Sequence, residues 1–138
     1  MIPRWIRALI KGETVYINGN GETSRDFCFI ENVIRMNLLA ATTLNPDAVN
    51  QVYNTAVNAR TTLNELFAML HARLLPHFPH LRGCKPVYRD FRTGDVLHSQ
   101  ADISKAAGLL GYQPSHTIDD GLDAALTWYM ANLAPGKN

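Results

Sequence analysis

Several features are scarce in this 138-residue chain, and each scarcity removes a class of protein. It has two cysteines, Cys28 and Cys84, too few for a disulfide framework. In a cytoplasmic chain both are thiols, and Cys28 is expected in a buried strand. No apolar run approaches the ~18 residues that a membrane span needs. The opening Met1 to Gly12 carries Pro3, Arg4, Arg7 and Lys11 without a small-residue cleavage site, so it reads poorly as a secretory signal. Charge of either sign is also in short supply. Thirteen Lys and Arg against twelve Asp and Glu leave +1, too little to imply nucleic acid.

Chemical signatures are missing as well. Gly19-Asn20-Gly21 lacks the third glycine of a dinucleotide loop, and no helix follows it directly. His77 and His80 lie three apart in a Pro-rich loop with no Cys or acid close by, so they read as solvated loop residues and no metal site is expected. No nucleophilic triad is apparent. The cluster Arg82, Lys85, Arg89 and Arg92 lacks the periodicity and aromatic interleaving of a nucleic-acid surface.

What is present is an α/β pattern. Trp5, Ile6, Leu9 and Ile10 recur at helical spacing behind Pro3 and ahead of Gly12. Thr14 to Ile17 is a short β-prone run closed by the turn Asn18-Gly19-Asn20-Gly21. Phe27 to Ile30 reads as a strand or a buried connector. From Glu31 to about Thr43 a helix shows Val33, Ile34, Asn37, Leu38 and Ala41 on one face. Val52 to Ala56 reads as a buried strand. Thr62 and Glu65 form a capping box for a helix with Leu63, Leu66, Phe67, Leu70 and Leu74. Val87-Tyr88 reads as a short strand, Asp102 as the cap of a short helix ending near Gly111, and Thr117 with Asp120 as a second capping box. Four short strands are thin support for five amphipathic helices, which need a sheet or a partner to bury their faces.

Arginines are the best ligand candidates. Arg25 follows the glycine turn and can present its fork to a phosphate. Asp26 could instead satisfy it, or solvent could. In Arg92-Thr93-Gly94-Asp95, Arg92 could bind phosphate and Asp95 a ribose hydroxyl. An internal pair between the two is the alternative.

Three segments in order carry a resemblance. Gly19 to Ile30 (GNGETSRDFCFI), Tyr53-Asn54-Thr55-Ala56 leading into Thr61 to Leu66, and Arg92 to Asp102 with Leu110-Gly111-Tyr112-Gln113-Pro114 resemble the C-terminal, substrate-binding portion of extended short-chain dehydrogenase/reductases. The likeness is to the NAD-dependent epimerase/dehydratase family. Ile2-Pro3-Arg4-Trp5-Ile6 and Pro86 to Arg92 steer it to bacterial UDP-N-acetylglucosamine 4-epimerases of surface-polysaccharide synthesis, the Vi-antigen type included.

The resemblance implies an α/β fold covering residues 1–138, with the Rossmann coenzyme half absent and one strand and helix near 51–74 belonging to the parent sheet layer. It implies that Arg25 and Arg92 hold the UDP diphosphate and that Asp95 serves the ribose or holds Arg92. Val15, Tyr16 and Ile17 would line the uracil slot through backbone groups, and Arg60 would lie near the nucleotide. Packing for Tyr16 and solvent for Arg60 remain open. The implied ligand is a UDP-N-acetylhexosamine, with NAD and a homodimer expected for the full-length parent and a cytoplasmic location. In the family a Tyr-x-x-x-Lys pair and NAD perform the chemistry. Tyr16, Tyr53, Tyr88, Tyr112 and Tyr129 are followed four positions later by Asn20, Val57, Arg92, His116 and Leu133. The chain alone is therefore expected to have no catalytic residue, to bind no NAD, to be inactive and to be poorly stable. A fragment of a nucleotide-sugar dehydratase or decarboxylase, a non-enzymatic UDP-sugar or docking module, and a gene remnant are the alternatives.

Overall fold

Helix α1 (Ile2–Lys11) tolerates Pro3 because the first N–H groups of a helix have no intrahelical partner. Its residues Trp5, Ile6, Leu9 and Ile10 form one buried face, as their spacing requires. Gly12 ends it in the left-handed conformation, φ +70°, where its N–H bonds the Leu9 carbonyl at 3.1 Å. The computed structural model describes residues 1–133. The remaining elements are β1 (Tyr16–Asn18), β2 (Ser24–Arg25), α2 (Ile30–Thr42), β3 (Thr61–Thr62), α3 (Leu63–Leu74), β4 (Val87–Arg89), α4 (Ser104–Leu110) and α5 (Ile118–Leu133). Single 3-10 turns lie at Pro46–Ala48 and Pro79–Leu81. The chain divides into two compact units, one from residues 1–24, 62–97 and 122 onward, the other from 25–61 and 98–121.

In the first unit α1 packs on α3. The Thr62 hydroxyl accepts from the Glu65 amide at 3.1 Å, and Glu65 accepts from the Thr62 amide at 2.7 Å. This reciprocal cap holds the helix start and contributes about 1 kcal/mol. Behind it Leu63, Leu66, Phe67, Leu70 and Leu74 are buried, each contributing roughly 1.5–3 kcal/mol by leaving water. The Trp5 and Phe67 rings meet edge to face at 6.4 Å. β1 pairs in parallel with β4, Tyr16 opposite Val87 and Asn18 opposite Arg89. That strand starts two residues later than the β-prone run suggests. His80 is tied down in its loop: its Nε2 lies 2.9 Å from the Leu9 carbonyl, where only an N–H can donate, a second bond to the group that the Gly12 amide also reaches.

The second unit is built around Met36, Ala48, Ala106, Leu110 and Tyr112, with Leu39, Tyr53, Ile103 and Leu109 packed against them. Gly111 ends α4 at φ +65°; the N-cap is Ile103 rather than Asp102, whose carboxylate accepts the Ser104 amide at 2.8 Å from one residue earlier. Thr117 and Asp120 make the second reciprocal cap.

Three expectations fail here. The run Val52–Ala56 forms no strand, and the strand of that region is β3 instead. Among the described residues no neighbouring ladder pairs it, and Val52 is 84% exposed. Side chains hold it: Tyr53 Oη donates to the Ala48 carbonyl, and Tyr112 Oη to the Ala56 carbonyl. Phe27 to Phe29 is the connector of its two readings, and what fails is the buried strand expected for Cys28, which is half-buried outside regular structure. Helix α2 is also rotated from its apolar pattern: it buries Asn32 and Met36, while Ile30, Ile34 and Leu38 stay exposed. Asn32 goes inside with its amide satisfied: its Nδ2 donates to the His116 carbonyl and its Oδ1 accepts the Ser115 amide, both at 2.8 Å. No helix among the described residues is long and apolar enough to cross a membrane.

Candidate functional site

Every bond of the β1–β4 ladder uses odd-numbered β1 residues. The Val87 amide donates to the Val15 carbonyl at 2.9 Å, and the Gly19 amide to the Arg89 carbonyl at 2.7 Å. Alternate residues of a strand point their peptide groups to opposite sides. The N–H and C=O groups of Tyr16 and Asn18 therefore face the open edge of a sheet that, among the described residues, has two strands. Val15 and Ile17 are buried and fix the strand, while Tyr16 is 45% exposed. The Arg89 guanidinium lies 3.3 Å over the Tyr16 ring, a cation–π contact across the strand pair. An edge of this kind can hydrogen-bond a planar heterocycle through backbone alone.

Three residues after β4 comes Arg92, exposed on a turn in which the Asp95 amide donates to the Arg92 carbonyl at 3.1 Å. Gly94 makes the turn at φ +80°. Val15, Tyr16, Ile17, Arg92 and Asp95 thus belong to one compact unit. Arg25 and Arg60 belong to the other: Arg25 is half-buried on β2, and Arg60 is exposed just ahead of β3, which pairs with β2. Asp26 spends its two oxygens on backbone, accepting the amides of Val57 at 3.1 Å and Ala101 at 3.4 Å.

Residues that the sequence reading missed hold the glycine turn. Asn64 Nδ2 donates to the Asn20 carbonyl and to Glu22, and its Oδ1 accepts from Tyr88 Oη at 2.9 Å. Its amide bonds the Gly21 carbonyl. Gly21 sits at φ +82°, and a Cβ there would collide with the Asn64 side chain. Only the Asn at the second position of α3, a poor helix former, hinted at this role.

The second unit has a concavity of about 350 Å³, lined by Phe27, Val57, Thr61, Pro114, His116 and Ile118. His116 stands 5.2 Å from the Phe29 ring, and Ser115 Oγ lies 3.0 Å from its Nδ1. Nearby, burial pushes the Tyr112 phenol up to about 12, with Cys28 adding to the shift. Burial likewise raises the Cys28 thiol, and the Asp26 carboxylate adds to that. Neither group is therefore poised as a nucleophile at neutral pH. Among the described residues no three His, Cys, Asp or Glu side chains gather as metal ligands.

The model of the NAD dependent epimerase/dehydratase family matches residues 1–56. The solved UDP-glucose 4-epimerase of Thermotoga maritima, in complex with UDP-glucose, is 31% identical and superposes with a TM-score of 0.80. The match covers 96% of this chain and 40% of that one. These matches support membership in the NAD-dependent epimerase/dehydratase family. A UDP-N-acetylglucosamine 4-epimerase from Methanobrevibacter ruminantium, solved with UDP-N-acetylmuramic acid, is 30% identical with a TM-score of 0.80, covering 96% of this chain and 39% of that one. The dTDP-glucose 4,6-dehydratase of Haemophilus influenzae is 29% identical over 96% of this chain and 40% of its own. The chain therefore spans about two fifths of the length of its epimerase/dehydratase relatives. Their shared vocabulary is nucleotide-sugar metabolism, and the fold is of the α/β epimerase type.

Proposed function

We propose that this chain carries the nucleotide-sugar-recognising part of a UDP-N-acetylhexosamine 4-epimerase in polysaccharide precursor synthesis. The observation that carries the reading is the match of almost its whole length to an epimerase bound to UDP-glucose. The likeness to the M. ruminantium enzyme supports an N-acetylated sugar. Arg25 and Arg92 are the phosphate ligands of this reading, and Asp95 serves the ribose or steadies Arg92. The open edge at Tyr16, between Val15 and Ile17, takes uracil, and Arg60 lies near the nucleotide. Homodimerisation belongs to the whole protein.

NAD is the coenzyme of the family, and the residues of this chain do not fit it. There is no G-x-G-x-x-G and no Tyr-x-x-x-Lys in the 138 residues. The described sheets have two strands each, without the doubly wound layer that carries such a loop. The proposal is accordingly binding without turnover.

Calorimetry of the chain with UDP tests it. A saturable heat is expected, with affinity reduced at least tenfold in Arg25→Ala, since a charged hydrogen bond contributes roughly 1.5–3 kcal/mol. No heat with UDP, or equal heat in Arg25→Ala, sinks the reading. The similarity to a dTDP-glucose dehydratase favours a second reading, a dehydratase portion, which tighter binding of dTDP than of UDP would support.

A further inference from the structure

The first unit contains a groove of about 420 Å³ between one face of α1 and the chain entering β1. That volume suits a small ligand rather than a macromolecule. Arg4, Arg7 and Lys11 line it at helical spacing, with Trp5 in its wall and Thr14 and Tyr16 opposite. Glu13 is the one carboxylate. Among the described residues none of the three cations has an ion-pair partner.

The arrangement is unfavourable for α1 taken alone. Arg4 stands in the first turn, where the helix dipole disfavours a cation, and no acid stands there to offset it. Arg4 with Arg7, and Arg7 with Lys11, are like charges at neighbouring helical positions. Lys11, in the last turn, is the only one that the dipole favours. Three cations held together against their own repulsion, on a concave wall with a single carboxylate, provide what a dianion lacks in water: several converging donors in a fixed frame.

We propose that this groove binds a small phosphate ester, its phosphate on the Arg4 and Arg7 guanidiniums and Lys11, and a hydroxyl of the same ligand on Glu13. Arginine forks favour phosphate over a point-charge contact, and the carboxylate at the rim favours a ligand that also donates a hydrogen bond. The groove shares Val15 and Tyr16 with the proposed uracil slot but uses neither Arg25 nor Arg92. Its charged contacts are therefore separable from those proposed for UDP.

Trp5 is a built-in reporter. The chain has two tryptophans, and Trp128 is 61% exposed on α5, so Trp128→Phe leaves Trp5 as the sole tryptophan. Glucose 1-phosphate titrated into this variant should change Trp5 emission saturably, and glucose should not. Adding Arg4→Gln and Arg7→Gln, both at exposed positions, should weaken binding at least tenfold, whereas Arg25→Ala should leave it unchanged. Lys11→Gln alone should weaken it several-fold and serves if the double variant unfolds. No saturable response, equal affinity in the glutamine variants, or loss in Arg25→Ala would overturn the proposal. A lost UDP heat in Arg25→Ala with an intact Trp5 response separates the two sites.

Discussion

Asn32 grips the backbone of His116 on both sides, donating to its carbonyl at 2.8 Å and accepting its amide at 3.1 Å. The same Oδ1 accepts the Ser115 amide at 2.8 Å, so one fully buried side chain does the work of a short stretch of ladder. It ties the first turn of α2 to the segment before α5. Removing it strands those groups in the interior. Asn32→Ala should destabilise the protein by about 1–3 kcal/mol per group left unpaired, read as a lower urea midpoint. Asn32→Leu should be no better than Asn32→Ala, and a midpoint equal to wild type in either would contradict this role.

A second prediction concerns the glycine turn. Gly21→Ala adds a Cβ against the Asn64 side chain at a positive φ, two separate penalties. It should lower stability by more than 1 kcal/mol. Pairing it with Asn64→Ala should relieve the steric part and leave the conformational part, a coupling that a double-mutant cycle measures. Simple additivity would show that Asn64 does not crowd the turn.

The cap of α3 gives a third. Thr62→Ala should cost about 0.5–2 kcal/mol. Hydrogen bonds to Thr62 hold the Glu65 carboxyl below its ordinary value. The folded state thus favours the ionised form, and this contribution is present above the unfolded pKa and fades as pH falls through the folded one. The Thr62→Ala penalty should accordingly shrink in acid, and denaturation at pH 7 and pH 3 compares the two.

Tyr112 supplies an alkaline counterpart. Its phenol, pushed up to about 12 by burial, keeps its proton in the folded state after the unfolded chain has begun to lose it near pH 10. The unfolded state then binds fewer protons, so stability falls between pH 10 and 12 by on the order of 2 kcal/mol. Tyr112→Phe should remove this slope while losing the bond to the Ala56 carbonyl at all pH. An unchanged slope would place the titration elsewhere.

Helix boundaries were readable from the sequence wherever local chemistry decides them. Gly12, Thr62 with Glu65, and Thr117 with Asp120 act within one turn, and each stands where its pattern puts it. What non-local contacts decide was hidden. Val52 to Ala56 has the composition of a strand, but a strand also needs a neighbour, and nothing in the run specifies one. The buried face of α2 was not legible because Asn32, which it includes, finds its partners 83 and 84 residues away. Gly94 was legible as a flexible residue between Arg92 and Asp95. The Asn64–Tyr88 contact that braces the neighbouring glycine turn was not, since neither residue signals the other across 24 positions.

The pairing of Tyr16 with Val87 has a kinetic side. Closing that ladder encloses about 70 residues of chain, among them the whole 25–61 stretch of the other unit. Such closures are slow because loop entropy is lost before any contact repays it. The α1–α3 contact already draws the same ends together, so β1 and β4 are placed to zip late, after the helices have docked. Folding of this chain should then be limited by the docking of α1 on α3, and Gly21→Ala, beside the late-zipping β1, should speed unfolding more than it slows refolding.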